Sequence, residues 1–404
     1  MGGSTPSRRT SVRAAATRVC VVGPDTRFLS GITYYTFGLV AALAREQRVS
    51  AVLLRRLLPA RLYPGRARVG VQLSELRLPP SVTAVSRLDW YWGTGIWRAA
   101  QLLRRQRTEV LILQWWTSAA LHSYLALAVV AKWLGASVVV EFHEVLDSGE
   151  ERLGWVRHYV RAVAPWLFRL SAAFVVHTEH DRELLVNHYG INALRTVLIP
   201  HAGYDQYRHD RVPSATGRCR LLFFGVVRPF KGVEDLVAAF NLLALDSPTF
   251  ELTIIGETWE NWTLPDRMIA QSPARDRITR LDRYVTDSEA AAAFAAADVV
   301  VLPYLRCSSS GPLHIAMALG LPVVTTSVGG LPEATAGYPG AVTAEPGDPQ
   351  SLARAILQAS TLAGQHFSGA PSWTETASAY AGLLAEVTAR RPQPRGGRAG
   401  APAR

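Results

Sequence analysis

The sequence lacks the two glycine-rich patterns that most often mark nucleotide-binding loops. No G-x-G-x-x-G follows a predicted strand, and no G-x-x-x-x-G-K-[ST] occurs anywhere in the 404 residues. These patterns provide the phosphate-binding turns of dinucleotide-binding enzymes and P-loop enzymes. Their joint absence argues against a dehydrogenase and against a P-loop nucleotidase.

Cysteine is scarce, with only Cys20, Cys219 and Cys307 in the chain. Three scattered cysteines form neither a disulfide framework nor a metal-binding spacing. His177 and His180 are three residues apart, but no third metal ligand stands near them in the sequence. The sequence therefore predicts reduced thiols, no bound metal and a cytoplasmic location.

Long apolar runs are also missing. The first residues, MGGSTPSRRTSVRAAATRV, have no apolar core of the kind found in a signal peptide. The most apolar helix-length run, 120–142, is interrupted by His122, Lys132 and Gly135, whereas a membrane-spanning helix needs ~20 apolar residues. We expect that any contact with a membrane is peripheral.

Acidic residues are scarce in the first half of the chain, and the net charge of +11 is therefore uneven. Residues 18–200 contain 22 basic and 13 acidic side chains, whereas 201–389 contain 13 and 19. The tails 1–17 and 390–404 are basic, rich in glycine, proline or arginine, and predicted to be disordered. A basic first half suits an anionic membrane surface or an anionic substrate, although arginine-rich composition alone is the alternative. We expect no nucleic-acid partner.

The chain contains two series of alternating buried strands and helices. The first series begins with RVCVVG (18–23) and ends with TVLIPHA (196–202), and the second begins with RLLFFGVV (220–227). Continuous valine, isoleucine and leucine runs that alternate with helices predict parallel sheets covered on both faces. We therefore predict an α/β protein with two Rossmann-like, doubly wound domains facing a central cleft. The predicted units are 18–202, a linker at 203–218, a second domain at 219–371 and a final helix at 372–389.

Two cations follow the first strand of the second domain in the segment GVVRPFKGVEDL. Arg228 and Lys231 are three residues apart at a strand-to-helix turn, where backbone N–H groups and cations together suit a diphosphate. Two solvated loop cations are the alternative.

The segments FGVVRPFKGVEDL, ADVVVLPY and SGPLHIAMALGLPVVTTSVGGLPE resemble the C-terminal domain of retaining glycosyltransferases of family 4, which have the GT-B fold. VVVEFHE and VVHTEHDRELL are similar to the acceptor domain of the same family, and the resemblance covers roughly 18–385. It implies transfer of a sugar from a nucleotide-diphosphate donor with retention of configuration. It also implies that the reaction needs no metal and no cofactor, and that helix 372–387 crosses back to the first domain.

The resemblance assigns roles to single residues. Arg228 and Lys231 would neutralise the donor diphosphate, and His143 would contact the sugar or stabilise positive character beside it. A strand-end histidine that caps a loop is the alternative for His143. Gly31 would let the backbone approach the diphosphate, and Tyr284 would contact the base.

The turn CSSSGPLHI lacks the two glutamates of the family pattern, which would fall on Cys307 and Ile315. We expect the helix amino end after this turn to bind phosphate through its backbone N–H groups. The donor-binding candidates are Ser309, Ser310, Gly311, Pro312 and Leu313. Glu333 is a candidate substitute that would contact ribose or sugar hydroxyls, although a glutamate favoured by its own helix dipole is the alternative.

Arginines and tryptophans are interleaved in ERLGWVRHYVRAVAPWLFRL (151–170), in which Pro165 is expected to kink or break the helix. Such a pattern is typical of interfacial membrane helices, and a surface helix that packs on the sheet is the alternative. A membrane-associated protein would suit a lipid-linked acceptor.

The sequence thus predicts a glycosyltransferase that acts in polysaccharide or glycolipid synthesis, with a nucleotide-sugar donor and a sugar or lipid-linked acceptor. The loss of both glutamates leaves two alternatives, which are a non-catalytic nucleotide-sugar-binding protein and a nucleotide-sugar epimerase.

Overall fold

The computed structural model describes residues 16–26, 31–57, 74–145, 153–207, 210–212, 214, 216–246 and 249–390. The predicted basic tails lie outside these ranges except for Ala16, Thr17 and Arg390. Three cysteines are present in the chain, and none of them forms a disulfide.

The first domain contains a seven-stranded parallel sheet with the order β3-β2-β1-β4-β5-β6-β7. Its strands are β1 (Arg18–Pro24), β2 (Arg48–Arg56), β3 (Thr83–Asp89), β4 (Val110–Trp115), β5 (Ser137–Phe142), β6 (Ala173–Val176) and β7 (Thr196–Leu198). β4 and β5 are buried along their whole length, as expected for central strands covered by helices on both faces.

The second domain contains a six-stranded parallel sheet with the order β10-β9-β8-β11-β12-β13. Its strands are β8 (Cys219–Phe224), β9 (Phe250–Ile255), β10 (Ile278–Leu281), β11 (Val299–Leu302), β12 (Val323–Thr326) and β13 (Ala341–Ala344). Both sheets are doubly wound, which confirms the predicted fold class.

Helices connect the strands and cover the sheets. They are α1 (Gly31–Leu43), α2 (Gly95–Arg105), α3 (Leu121–Trp133), α4 (Gly154–Leu170), α5 (Glu179–Tyr189), α6 (Val233–Asp246), α7 (Leu264–Ala270), α8 (Asp287–Ala296), α9 (Gly311–Ala318), α10 (Leu331–Thr335), α11 (Pro349–Ser360) and α12 (Trp373–Ala389). Within the described ranges, no helix combines the length and the apolar character needed to cross a membrane.

The strand order reverses at β1 and β4 in the first sheet, and at β8 and β11 in the second. In doubly wound sheets, ligands bind beyond the carboxyl ends of the strands at such a reversal, because the adjoining loops diverge there and leave a crevice. The topology therefore directs attention to the loops that follow these four strands.

The last helix, α12, follows the second domain in sequence but packs on the first. It contacts α1, and Ser137 Oγ at the start of β5 donates a hydrogen bond to the Val387 carbonyl at 3.0 Å. Gly38 allows this close approach, since a Cβ at that position would lie 2.2 Å from the Trp373 ring. The two domains are thus joined both by the chain near 203–218 and by this helix.

The structure also corrects several details of the sequence reading. β3, β10 and β13 lie where the sequence pattern did not predict a strand. α4 continues through Pro165 instead of breaking there. At the predicted strand-to-helix turn, Pro229–Lys231 forms a single 3-10 turn and α6 begins at Val233.

Candidate functional site

Among the cavities between the domains, two neighbours lie beyond the carboxyl ends of the strands. Their volumes are about 280 Å³ and about 580 Å³, and both are lined by Gly31, Val226, Lys231 and Trp259. Because they share these residues, they form neighbouring parts of one cleft. The cleft lies at the reversals of strand order in both sheets.

The smaller cavity is mostly apolar and aromatic, and we call it the aromatic cavity. Its lining includes six tyrosine or phenylalanine rings and the bare backbones of Gly225, Gly256 and Gly311. The rings belong to Tyr34, Tyr204, Tyr207, Phe224, Tyr284 and Tyr304. A flat, apolar ring system such as a nucleoside base suits this surface.

The larger cavity is more polar, and we call it the polar cavity. Its lining combines basic groups, hydroxyl groups and two histidines, and it draws on both domains. These residues are His143, His180, Arg228, Lys231, Arg306, Ser308 and Ser309. Anionic and polyhydroxylated groups suit such a lining.

Arg228 lines the polar cavity, but it is also held by an acidic partner. Its Nε donates to Glu260 Oε1 at 2.8 Å, and its guanidinium carbon lies 4.7 Å from the centroid of the Phe230 ring. Glu260 and Asn261 both have positive φ values, +64° and +54°, a left-handed conformation that is uncommon for glutamate and more readily adopted by asparagine. The loop that fixes Arg228 is therefore itself held in an unusual conformation.

Lys231 is the residue that lines both cavities through a charged group. Its Nζ lies 3.6 Å from the centroid of the Tyr304 ring, and no carboxylate within the described part of the chain forms an ion pair with it. Gly232, with φ of +60°, completes the turn, since a Cβ there would lie 2.0 Å from the Pro303 carbonyl oxygen. The turn therefore places an ammonium group where the two cavities meet.

The serine turn is arranged differently from the expectation. Ser310 Oγ accepts the Leu313 N–H at 3.3 Å and lies 3.3 Å from the Tyr304 hydroxyl oxygen, so Ser310 caps its own helix. Pro312 has no N–H, and the Leu313 side chain is fully buried in the core. Of the first three residues of α9, only Gly311 keeps an N–H for a ligand. Ser310 and Leu313 thus have structural contacts in α9, and their predicted contact with a donor stays a prediction. Ser308 and Ser309 supply the hydroxyl groups of the polar cavity.

Gly31, Tyr284, Gly311 and Pro312 lie where the sequence reading expected a donor. Gly31 begins α1 and accepts a hydrogen bond from the Tyr204 hydroxyl at 3.1 Å, while Tyr284, Gly311 and Pro312 line the aromatic cavity. Their roles toward a donor stay a prediction.

Glu333 lies outside both cavities of the cleft. Its carboxylate accepts the Glu179 N–H at 2.7 and 2.8 Å, so it caps the amino end of α5 across the domain interface. A carboxylate is stabilised there by the unpaired N–H groups and the helix dipole. Glu333 also lines a third cavity between the domains together with Ser308, Ser309 and Ser310. Its predicted contact with ribose or sugar hydroxyls stays a prediction.

His143 follows β5 and lines the polar cavity, but neither of its ring nitrogens is directed to a ligand. Nε2 lies 2.7 Å from Gln114 Oε1, and Nδ1 lies 3.1 Å from His177 Nε2. Burial holds the pKa of His143 well below its usual range, and the neighbouring His177 lowers it further. His143 is therefore unsuited to exchange protons directly with a sugar hydroxyl in this arrangement.

Sequence reasoning missed two acidic residues at strand ends. Glu257 follows β9 and lines the aromatic cavity, where its Oε2 accepts the Trp259 indole N–H at 3.0 Å. Glu141 is fully buried within β5, beneath His143. The position of Glu257 directly after the buried strand FELTIIG was the available signal, because loops after strands form the cleft.

One group of side chains in the described ranges has the spacing of a metal site. It consists of Glu141, His143 and His177, whose candidate ligand atoms lie within 4.8 Å of one another. These side chains already have hydrogen-bond partners: the two histidines bond to each other, and Glu141 bonds to Tyr35 and Gln114. Tyr35 donates to Glu141 at 2.6 Å, and the two imidazoles are hydrogen-bonded to each other. We therefore describe them as a hydrogen-bond network and assign no metal.

Both domains match known families. Residues 30–202 match the glycosyl transferase 4-like domain, and residues 218–361 match the glycosyl transferases group 1 family. The chain is 29% identical over 316 residues to glycogen synthase of Mycobacterium tuberculosis, covering 72% of each chain. It is 31% identical over 198 residues to GDP-mannose:glycolipid 4-beta-D-mannosyltransferase of Xanthomonas campestris, covering 47% of this chain and 50% of the relative.

The fold has relatives among solved structures. The Anabaena protein HepE (Alr3699), solved in complex with UDP-glucose, superposes with a TM-score of 0.62 at 17% identity, covering 91% of this chain and 99% of the other. At this identity the likeness establishes the fold, which is GT-B. With both domain types in the family order and the cleft between them, the chain is a GT-B protein of the family 4-like glycosyltransferases.

Proposed function

We propose that this protein transfers a sugar from a nucleotide-diphosphate sugar to an acceptor, with retention of the anomeric configuration. The observation that carries the proposal is the position of Lys231, whose ammonium group lies where the aromatic and the polar cavities meet. A nucleoside in the first cavity and a sugar in the second would place the diphosphate between them, next to this charge.

The chemistry follows from the leaving group. A nucleoside diphosphate departs as an anion, and fixed cations and N–H donors stabilise the negative charge that develops on it. Lys231, Arg228 and the Gly311 N–H are the groups available for this task. No cofactor is needed for such a step. Retention is supported by the family pattern and is part of the proposal.

The donor can be identified by measuring the thermal midpoint with a panel of nucleoside diphosphates. A ligand at 100 times its dissociation constant adds about 2.7 kcal/mol, which is easily measured. We expect one base to dominate, and we expect Lys231→Ala to lose most of the shift. Equal shifts in wild type and in Lys231→Ala would remove the central observation.

The anomeric outcome requires an assay of the product. NMR of the glycoside, using the donor that the panel selects, distinguishes retention from inversion through the coupling at the anomeric carbon. An inverted product would contradict the retaining proposal and leave the transferase proposal intact.

A non-catalytic nucleotide-sugar-binding protein is the second candidate, because Cys307 and Ile315 replace the two glutamates of the family pattern and line the polar and the aromatic cavity, respectively. Such a protein would bind the donor without transfer or hydrolysis. An epimerase would instead convert the donor without any acceptor, but it needs acid–base groups at the sugar. His143 does not offer a free ring nitrogen there.

We also propose that the first domain docks on an anionic membrane, which suits a glycolipid or polysaccharide acceptor. Four tryptophans are exposed on α2, α3 and α4, and α3 packs against both other helices. They are Trp97, Trp133, Trp155 and Trp166, with exposed fractions of 60, 82, 71 and 59%. Exposed basic residues accompany them, and the Arg169 guanidinium carbon lies 5.1 Å from the centroid of the Trp166 ring. Tryptophan with arginine is typical of membrane interfaces.

Sedimentation with phosphatidylserine vesicles tests this surface. We expect binding at low salt that weakens at high salt, and loss of binding in the variant Trp155→Ser/Trp166→Ser. Leu245→Ser is the matched control, since Leu245 is 74% exposed but lies on α6 of the second domain. Failure of wild type to bind at any salt concentration would exclude the docking surface.

A further inference from the structure

A chain of buried polar side chains runs behind the polar cavity. Its members come from four different elements, and it ends at a backbone carbonyl, that of Ile199. The side chains are Tyr35 in α1, Gln114 in β4, Glu141 in β5, His143 after β5 and His177 after β6. We call this chain the buried relay. Of its members, His143 reaches the polar cavity.

Five hydrogen bonds connect the buried relay. Tyr35 bonds to Glu141, Glu141 to Gln114, Gln114 to His143, His143 to His177 and His177 to the Ile199 carbonyl. Each bond needs one proton between its two atoms. The bond to Ile199 fixes a proton on His177 Nδ1, because a carbonyl oxygen only accepts.

The side chains in their ordinary states supply too few protons. The Tyr35 hydroxyl supplies one proton and each of the two neutral imidazoles supplies one. The Gln114 amide also supplies only one, because it faces the relay with its NH2 group on one side and its oxygen on the other. The total is four protons for five bonds. An ionised Glu141 supplies none. The amide of Gln114 can be turned either way without changing the count, because turning it moves the missing proton from one of its bonds to the other.

We infer that the buried relay holds one extra proton, shared between the Glu141 carboxyl and the His143–His177 pair, and that these residues thereby position His143 and set its charge at the polar cavity. Without that proton, two acceptors would face each other at hydrogen-bond distance in a buried site. Leaving a buried polar group unpaired lowers stability, and facing lone pairs add repulsion. The extra proton removes both costs.

Several titratable groups surround the relay. From other elements, Tyr380 in α12 and Tyr204 face the Tyr35–Glu141 end, and His201 and His314 face the histidine end. The His201 ring lies 5.1 Å from the His177 ring and stacks on His314 at 4.2 Å. Burial lowers the pKa of His201 well below its usual range and that of His314 to about 3, so both stay neutral near pH 7. On the cavity side, Glu144, His180, Arg228 and Lys231 line the same space as His143.

The consequence for the cleft rests on the proposed function, whereas the proton count does not. When an anionic diphosphate binds in the polar cavity, the shared proton is drawn toward His143. The transfer leaves a carboxylate at Glu141 and an imidazolium at the cavity, so charge is conserved. The polar cavity thereby gains a positive charge when the anion is bound, whereas in the ligand-free protein no imidazolium has to be buried there.

The variant Glu141→Gln tests the count. The amide that this substitution introduces supplies the fifth proton itself, so the relay becomes fully bonded with no extra proton. In the unfolded chain, Glu at about 4.3 and His at about 6.5 have released their protons above pH 7. Wild type therefore releases one proton on unfolding and loses stability as the pH rises, and the variant lacks this loss.

We expect the unfolding equilibrium constant of wild type, divided by that of Glu141→Gln, to rise about tenfold per pH unit from about pH 7 to 8.5. Groups common to both proteins cancel in this ratio. Tyr35→Phe is the matched control, because it removes one bond and one proton together. It should keep the wild-type pH dependence although it contacts the same carboxyl group. A ratio that does not change with pH would overturn the inference.

Nitrogen-15 NMR of the histidine rings gives an answer that does not depend on any variant. We expect either two neutral rings, both protonated on Nδ1, or one imidazolium shared by the pair. Neutral rings with the proton on His143 Nε2 and on His177 Nδ1 would leave two lone pairs facing each other and would contradict the count. A stoichiometric metal ion in the purified protein would take the place of the extra proton and would also overturn the inference.

Inorganic pyrophosphate probes the consequence for the cavity. Between about pH 7 and 8.5 its affinity for wild type should exceed its affinity for Glu141→Gln, because only wild type can supply the movable proton. Equal affinities, together with a confirmed proton count, would overturn the role at the cavity and leave the proposed transferase function standing.

Discussion

Replacing Arg228 should weaken donor binding about as much as replacing Lys231, but only the Arg228 loss should be partly recovered by also removing a neighbouring carboxylate. Arg228 is paired with Glu260, and the two side chains are only 14% and 20% exposed. Arg228→Met therefore removes a cation and also leaves the Glu260 carboxylate without that compensating charge. Lys231→Met removes a cation alone, because Lys231 lies over the Tyr304 ring and is not ion-paired within the described residues.

The magnitudes follow from the charges. A hydrogen bond to a charged group contributes about 1.5–3 kcal/mol, so Lys231→Met should weaken binding about 10- to 150-fold. Arg228→Met also removes one charged donor and should weaken binding by the same 10- to 150-fold. At an effective dielectric constant of about 20, a carboxylate about 8 Å from one diphosphate charge repels it by about 2 kcal/mol, in wild type and in Arg228→Met alike. Adding Glu260→Gln to Arg228→Met should therefore recover about 30-fold in affinity.

Calorimetric titration with the nucleoside diphosphate that stabilises wild type most would measure all four proteins. Arg218→Met is the matched control, since Arg218 pairs with Glu251 at 3.0 Å and lines neither cavity. It should bind like wild type. If Glu260→Gln recovers nothing, Glu260 does not act on the bound anion. If neither Arg228→Met nor Lys231→Met weakens binding, the diphosphate does not lie at this turn.

Three further predictions concern other parts of the cleft and the core. Glu257→Gln should weaken binding of the preferred nucleoside monophosphate about tenfold and leave pyrophosphate binding unchanged, since Glu257 lines only the aromatic cavity; equal losses for both ligands would contradict this division. Gly38→Ala should lower the free energy of unfolding by about 1–3 kcal/mol, because the new Cβ would meet the Trp373 ring. Gly382→Ala in α12, where a Cβ has open space, should not lower the free energy of unfolding. Similar losses for Gly38→Ala and Gly382→Ala in denaturant titrations would refute the packing argument. Burial raises the pKa of Asp181 to about 7, so wild type should lose stability relative to Asp181→Asn as the pH rises from 5 to 8; parallel thermal midpoints would contradict it.

Much of the fold could be predicted because the central strands have long apolar runs. SVVVEF and VVVL indicate buried parallel strands without any knowledge of their partners. The strands that were missed carry weaker signals. β3, with the sequence TAVSRLD, lies at a sheet edge, exposes most of its side chains and gains stability from pairing with β2 more than from its own pattern.

The site could be predicted less completely, because its contacts join distant parts of the chain. Arg228 and Lys231 were found from a local spacing. The role of Glu141 depends on Tyr35 and Gln114, which come from other elements and which no local pattern links to it. The capping role of Ser310 was available from sequence, since a serine directly before a helix with proline near its start is a common N-cap signal.

The two missing glutamates change the cleft without emptying it of acidic groups. Cys307 lines the polar cavity and Ile315 lines the aromatic cavity, so each substitution alters a different cavity wall. Each cavity also contains a carboxylate from another strand end, Glu144 after β5 and Glu257 after β9. If Glu144 or Glu257 binds a sugar or ribose hydroxyl, the carboxylate contacts it from a different side of the cavity than the glutamates of the family pattern would. We therefore expect the substitutions to change which donor is accepted, and the variant Glu257→Gln tests one half of that exchange directly.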